Sequence, residues 1–233
     1  MKVIDSSMPL SRTSSADMAA TIIDEVRRLL GATTPSVRAI RRRYSRLLAG
    51  ESPDWVLEVV RLVLADKSWS ARLIAFELLA EHHAVMSQLN GLVVEEMADG
   101  LSDWGSVDLF GVTVAGVAWR EGQVSDRQVM RWARSKDHWH RRLALVATVP
   151  LNSKARGGDG DAVRTLELCR ALVDDRDDMV VKALSWALRE LSKRDPKEVA
   201  RFLRKEDTRL ASRIRREVWS KLKTGRKVPQ KAD

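Results

Sequence analysis

Apolar residues return every three or four positions along most of the chain, the spacing of helices with one buried face. From Ser15 the stripe runs through Ile22, Ile23, Val26, Leu29 and Leu30 and is closed by Gly31. A second helix is predicted over 35–49, with Thr34 as N-cap and Pro35 at the first helical position. Ser52-Pro53 opens a third by the same device, reaching about Ala65. Further helices are predicted over 68–83, about 85–97, 104–119 with Ser102 or Asp103 as cap, and 125–134. Asp137 caps one that reaches Val149, and others follow over 162–173, 178–193, 196–204 and 208–222. No stretch alternates with period two, so no strand is predicted. The Gly-rich stretch Lys154–Asp161 is expected to be a flexible connection.

The helices repeat. Trp69, Trp104, Trp139 and Met179 align as starting landmarks at steps of 35, 35 and 40 residues, the longer step holding the Gly157–Gly160 insertion. Periods of this length, built of helix pairs, predict an all-α, HEAT-like α-solenoid of stacked antiparallel helix pairs, curved around a concave groove. Residues 15–223 are expected to form that single domain, between a flexible N-terminus (1–14) and a basic flexible tail (224–233). Three residues past each landmark stand Arg72, Val107, Arg142 and Lys182, and four past stand Leu73, Asp108, Leu143 and Ala183. Three cations in one register are placed to meet phosphates in the groove. The remaining repeat carries the carboxylate Asp108 instead, one helical turn after Trp104 and on the same face. The register alone leaves two readings of Asp108: a helix aspartate satisfied by Arg142 or Lys182, or a carboxylate with a chemical task.

Composition narrows the partners. The 233 residues carry a formal net charge of +9, with 44% hydrophobic and 31% charged residues. Residues 201–233 hold twelve Lys or Arg against four acids, nearly all of the excess, so an anionic partner is favoured. The helix over 35–49 adds Arg38, Arg41, Arg42, Arg43 and Arg46 without an acid. Apolar runs are too short for a membrane span, no secretory leader is visible, and the single Cys169 excludes an internal disulfide and reads as packing. Together these give an expectation of a cytoplasmic protein. His82-His83 and His138-x-His140 lack a third ligand at a recognised spacing, so no metal is expected, nor any cofactor. Trp55, Trp69, Trp119 and Trp132 are expected in the core or between helices.

Three motifs carry a resemblance. Asp103-Trp-Gly-Ser-Val-Asp108, His138-Trp-His-Arg-Arg-Leu143 and Val180-Val-Lys-Ala-Leu-Ser-Trp-Ala-Leu-Arg-Glu190, in that order, resemble the HEAT-repeat DNA alkylation repair family, the alkylpurine DNA glycosylases of the AlkD type. Thr34-Pro-Ser-Val-Arg38 is similar to that family's early Thr-Pro-x-x-Arg segment, and the likeness spans roughly residues 15–222. The resemblance implies that Asp108 is the catalytic carboxylate and that Trp104 and Trp186 flank the lesion's deoxyribose. It implies a DNA-backbone contact at Arg142, and it extends the expected DNA contacts to Lys182, Arg38, Arg72, Arg141 and Arg189. The implied activity is excision of cationic N3- and N7-alkylated purines (3-methyladenine, 7-methylguanine) from double-stranded DNA, by a monomer without metal or cofactor and without base flipping. Two positions depart from the family's pattern: Asp103 stands where an aromatic is frequent, and Gly105 where an acid is common. Because some relatives bind DNA without excising, the alternative is a non-catalytic HEAT-like nucleic-acid-binding protein.

Overall fold

A computed structural model describes residues 13–29 and 31–228. Leu30, most of the expected N-terminal segment and the last residues of the expected tail lie outside that range. Among the described residues the chain is all-α, with no strand and with helices packed in neighbouring pairs as in an α-solenoid. None of those helices is long and apolar enough to cross a membrane. The chain divides into two compact units, residues 1–88 and 89–233.

The first unit holds α1 (Ser15–Arg27), α2 (Thr34–Leu48), α3 (Pro53–Leu64), α4 (Trp69–Glu81) and α5 (His83–Gln88). Val37, Ile40, Val56, Val59, Val60, Val63, Ile74 and Phe76 form its core, with α1 on α3, α3 on α4 and α2 on α4. The caps fall where short oxygen-bearing side chains reach free N–H groups. Ser52 caps α3 as expected, and Ser68 caps α4. The second helix starts one residue earlier than predicted. Thr33, not Thr34, is its cap: Thr33 Oγ1 accepts from the Ser36 N–H and Ser36 Oγ accepts from the Thr33 N–H, which closes a reciprocal box.

The second unit holds α6 (Gly91–Ala98), α7 (Trp104–Phe110), a π-helical segment (Gly111–Ala115), α8 (Gly116–Arg120), α9 (Asp126–Ala133), α10 (His138–Val146), α11 (Val149–Asn152), α12 (Ala162–Ala171), α13 (Asp178–Leu191), α14 (Pro196–Lys205) and α15 (Ser212–Thr224). Within it α7, α10, α13 and α15 pack in succession, each on the next, and α9, α12 and α14 pack against α10, α13 and α15 respectively. Trp119 and Trp132 are buried as expected, and so is Cys169, whose thiol pKa burial pushes far up. Trp69, expected to pack, is instead 39% exposed at the start of α4.

Two helix boundaries and one loop differ from prediction for reasons the structure shows. The apolar run over 85–97 conceals a break, because the Asn90 side chain accepts from the N–H groups of Leu92 and Val93 and starts α6 afresh. The last helix begins at Ser212 rather than Thr208. Before it, Arg176 donates to the Arg209 carbonyl at 2.7 Å, and Arg209 pairs with Asp174 and Glu206, so that turn is held in its own geometry. The Gly-rich stretch is pinned rather than loose. Arg120 and Arg194 donate to the carbonyls of Arg156 and Gly158, and a Cβ at Gly158 would lie 2.2 Å from the Pro150 carbonyl oxygen.

Candidate functional site

The site is built on three adjacent helix starts. Asp103 caps α7, accepting from the Ser106 N–H at 2.8 Å, and Asp137 and Asp177 cap α10 and α13 by the same device. Caps fix where each helix begins, and that changes the register. Trp104 is the first residue of α7, whereas Trp139 and Met179 are the second residues of α10 and α13. Counted from the caps, Asp108, Arg142 and Lys182 share the fifth helical position of three consecutive helices in the row. The carboxylate is therefore not one step out of line with the cations. It occupies the place where its neighbours carry positive charge.

Asp108 and Arg142 meet directly. Arg142 donates from Nε to Oδ1 at 2.8 Å and from Nη2 to Oδ2 at 2.7 Å, the two-pronged geometry that fixes a carboxylate in orientation. Its remaining amine, Nη1, donates to the Met179 carbonyl at 2.6 Å, which ties the pair to the first turn of α13. Arg142 is only 5% exposed, so its guanidinium is committed to positioning Asp108 in this arrangement. Glycine makes the approach possible. A Cβ at Gly111 would lie 2.8 Å from Val146 Cγ1 on α10, and one at Gly116 would lie 2.4 Å from the Ala147 carbonyl oxygen. The π-helical widening at 111–115 follows Asp108 within one turn, and such insertions are frequent at functional sites.

The electrostatics of Asp108 are mixed. Burial raises its pKa above the ordinary 3.8, the hydrogen bond and charge of Arg142 pull the other way, and the Asp103 charge raises it further. The carboxylate thus sits in a partly desolvated place beside a cation that favours its ionised form. One turn earlier Trp104 stands 62% exposed, an indole presented to solvent on the Asp108 face. The site is an open surface with an oriented anion behind a flat aromatic.

The other expected residues fall into three groups. Trp186 and Lys182 are half-buried on α13, and Lys182 pairs with Asp178 at 2.6 Å, one turn before it. Arg189, lower on the same helix, donates to Ser185 Oγ at 3.3 Å and faces Glu217, and burial lowers its pKa. Arg141 is bound by protein atoms: Asp175 at 2.6 Å and the carbonyls of Ser135 and Lys136 at 3.1 and 2.8 Å. Arg38 and Arg72 belong to the first unit, where Arg38 pairs with Glu77 at 2.7 Å and Arg72 is half-buried on α4.

One ion pair in this row escapes a sequence reading. Asp178 and Arg213 meet at 2.8 Å, yet Arg213 counts in the sequence only as part of the basic C-terminal stretch. The signal was present: Asp178 lies four residues before Lys182 and 35 before Arg213, a helical turn and a repeat length.

A family model described as DNA alkylation repair enzyme matches residues 9–222. A comparison with the curated proteins finds no match.

Proposed function

The chain belongs to the DNA alkylation repair enzyme family, and from that premise we propose that it is a monofunctional DNA glycosylase for cationic N3- and N7-alkylated purines. The observation that carries this reading is the oriented, partly desolvated Asp108 carboxylate beside the exposed Trp104.

The chemistry asks little of a protein beyond a placed anion. An alkylated purine already bears a positive charge, which weakens its bond to the sugar. As that bond breaks, its electron pair leaves with the base, which becomes neutral, and the positive charge passes to the sugar as an oxocarbenium-like centre. A carboxylate held in place before the reaction stabilises that charge and orients the water that adds to the sugar carbon. The water's proton is lost to solvent through the carboxylate. A neutral leaving base needs no general acid, so a single aspartate is sufficient.

The Arg142 fork leaves each Asp108 oxygen with unused acceptor capacity while preventing the carboxylate from rotating away. An indole face beside the sugar adds attraction for the developing cation of about 0.5–2 kcal/mol. Trp104 and, through the resemblance, Trp186 supply such faces. An exposed aromatic and a carboxylate with one edge in solvent suit a substrate read from its backbone, in keeping with excision without extrusion of the base. Double-stranded DNA is the partner in this reading, met by a monomer in the cytoplasm, with Lys182, Arg38 and Arg72 as the cationic complement; Arg141, Arg142 and Arg189 are engaged by protein atoms.

The same ion pair supports a second reading, in which Asp108 only satisfies the buried Arg142 and the protein binds DNA without cutting it. Chromatographic assay of free 3-methyladenine and 7-methylguanine released from methylated duplex DNA separates the two. Release above the spontaneous rate is expected. DNA binding without release selects the second reading.

A further inference from the structure

Asp178 is the most exposed carboxylate of the row that carries Asp108, and it is gripped from two helices at once. Lys182 Nζ lies 2.6 Å from its Oδ2 and Arg213 Nη1 lies 2.8 Å from its Oδ1. Its pKa is held below the usual carboxylate value chiefly by the Lys182 hydrogen bond, with Arg213 and then Arg142 adding charge. Asp178 is not needed as the cap of its helix. Asp177 fills that role, accepting from the N–H groups of Met179 and Val180.

The geometry is that of an anion site with an internal occupant. One carboxylate, its two oxygens divided between an ammonium and a guanidinium, presents the cations much as a phosphodiester's two free oxygens would. The three charges sum to one positive; Arg213 Nε also lies 4.0 Å from the deeper Glu217 on α15, whose other oxygen accepts from Ser185 at 2.7 Å. Exposed ion pairs contribute little net stability because water competes for both partners, so exchange of one anion for another is inexpensive. Position matters as well. The Met179 carbonyl next to Asp178 accepts from Arg142, the residue that orients Asp108. An anion exchanged at Asp178 is therefore one residue from the catalytic pair's own anchor.

We propose that Lys182 and Arg213 form a clamp for one DNA backbone phosphate beside the Asp108 site, and that Asp178 is a built-in competitor which the phosphate displaces. This rests on the reading of the protein as a DNA-acting enzyme and adds Arg213 and Asp178 to its DNA-recognition residues. The competitor weakens binding wherever a phosphate is not well seated, which favours release of duplex held in the wrong register.

The test compares three variants of the full chain on a methylated duplex, with affinity measured by fluorescence anisotropy across a salt series. Arg213→Gln is expected to weaken binding and to reduce the slope of log affinity against log salt by about one, the loss of one phosphate contact. Asp178→Asn is expected to tighten binding several-fold. Arg215→Gln, which removes the same charge from a neighbouring arginine paired with Asp207 at 3.4 Å, is expected to leave the slope close to wild type. Thermal melting confirms that each variant is folded. Equal slopes for Arg213→Gln and wild type, equal losses for Arg213→Gln and Arg215→Gln, or weaker binding by Asp178→Asn each overturn the clamp. Base release by the wild type with an unchanged Arg213→Gln slope rejects the clamp alone. The expected slopes without base release reject the glycosylase reading alone.

Discussion

Both units join two helices through a carboxylate held by arginine, and only one of those pairs has the makings of an active site. In the first unit Glu77 on α4 faces α2, where Arg38 meets Oε1 at 2.7 Å and Arg41 Nε lies 3.3 Å from Oε2. In the second, Asp108 on α7 faces α10 and takes both prongs of a single Arg142. Glu77 is outnumbered by cations, buried, and followed on α4 by fully buried Leu78 and Leu79. Asp108 has one cation, a side chain 18% exposed against 11% for Glu77, and an exposed indole one turn away. The same chemical pair therefore serves as a fastener where it is enclosed and becomes usable where one edge of the acid meets solvent.

The contrast sets out what substitutions in the second pair should do. Arg142→Ala should have the largest effect. It leaves Asp108 partly buried without its cation and the Met179 carbonyl without its donor, at a cost of about 3–5 kcal/mol, read as a fall in denaturation midpoint together with loss of base release. A variant as stable and as active as wild type would remove Arg142 from the account. Trp104→Ala should be milder, because an indole that is 62% exposed contributes little to packing. Base release should slow by the factor that corresponds to about 0.5–2 kcal/mol of lost cation–π attraction, with the melting temperature unchanged.

The smallest expected effect is electrostatic. Asp108 must be ionised to stabilise a cation, and burial raises its pKa above 3.8, so kcat/KM should fall on the acid side at a pH above that value. The stability linkage has the opposite sense. Between the unfolded pKa and the raised folded pKa the native state binds more protons, so this group favours folding at low pH and loses that contribution as pH rises. Asp103→Asn keeps the cap of α7 but deletes a charge that raises the Asp108 pKa, so the acid limb should move to lower pH. A limb that stays in place would mean that another group controls it.

Much of this was legible in the sequence because it is local. The 3.6-residue stripe, the Ser-Pro and Asp caps and the 35-residue step specify helices and their pairing without reference to distant residues. The Asp108 position was legible as an exception in a repeat, and Arg142 was one of two partners that the register allowed. What the repeat concealed was the difference between Trp139 as landmark and His138 as first helical residue. One position of slip is 100° around a helix, enough to misplace Arg142 relative to Asp108 in the register. The breaks at Asn90 and Ser212 were hidden for a different reason. They depend on a side chain capping backbone against an apolar background, and on a turn whose Arg209 is held by Arg176 from before α13. Whether an arginine is spent on protein, as Arg141 is on Asp175 and two carbonyls, is likewise a matter of packing and not of sequence pattern.

The central claim is that Asp108, and not merely any arginine-paired carboxylate, carries the chemistry. Release of 7-methylguanine from methylated duplex DNA, measured for wild type, Asp108→Asn and Glu77→Gln at matched DNA occupancy, tests it most directly. The account predicts release roughly 10²–10³-fold slower for Asp108→Asn, the scale of losing one preorganised electrostatic contact, with DNA still bound, and near wild-type release for folded Glu77→Gln. Undiminished release by Asp108→Asn, or equal losses in both variants, would contradict it.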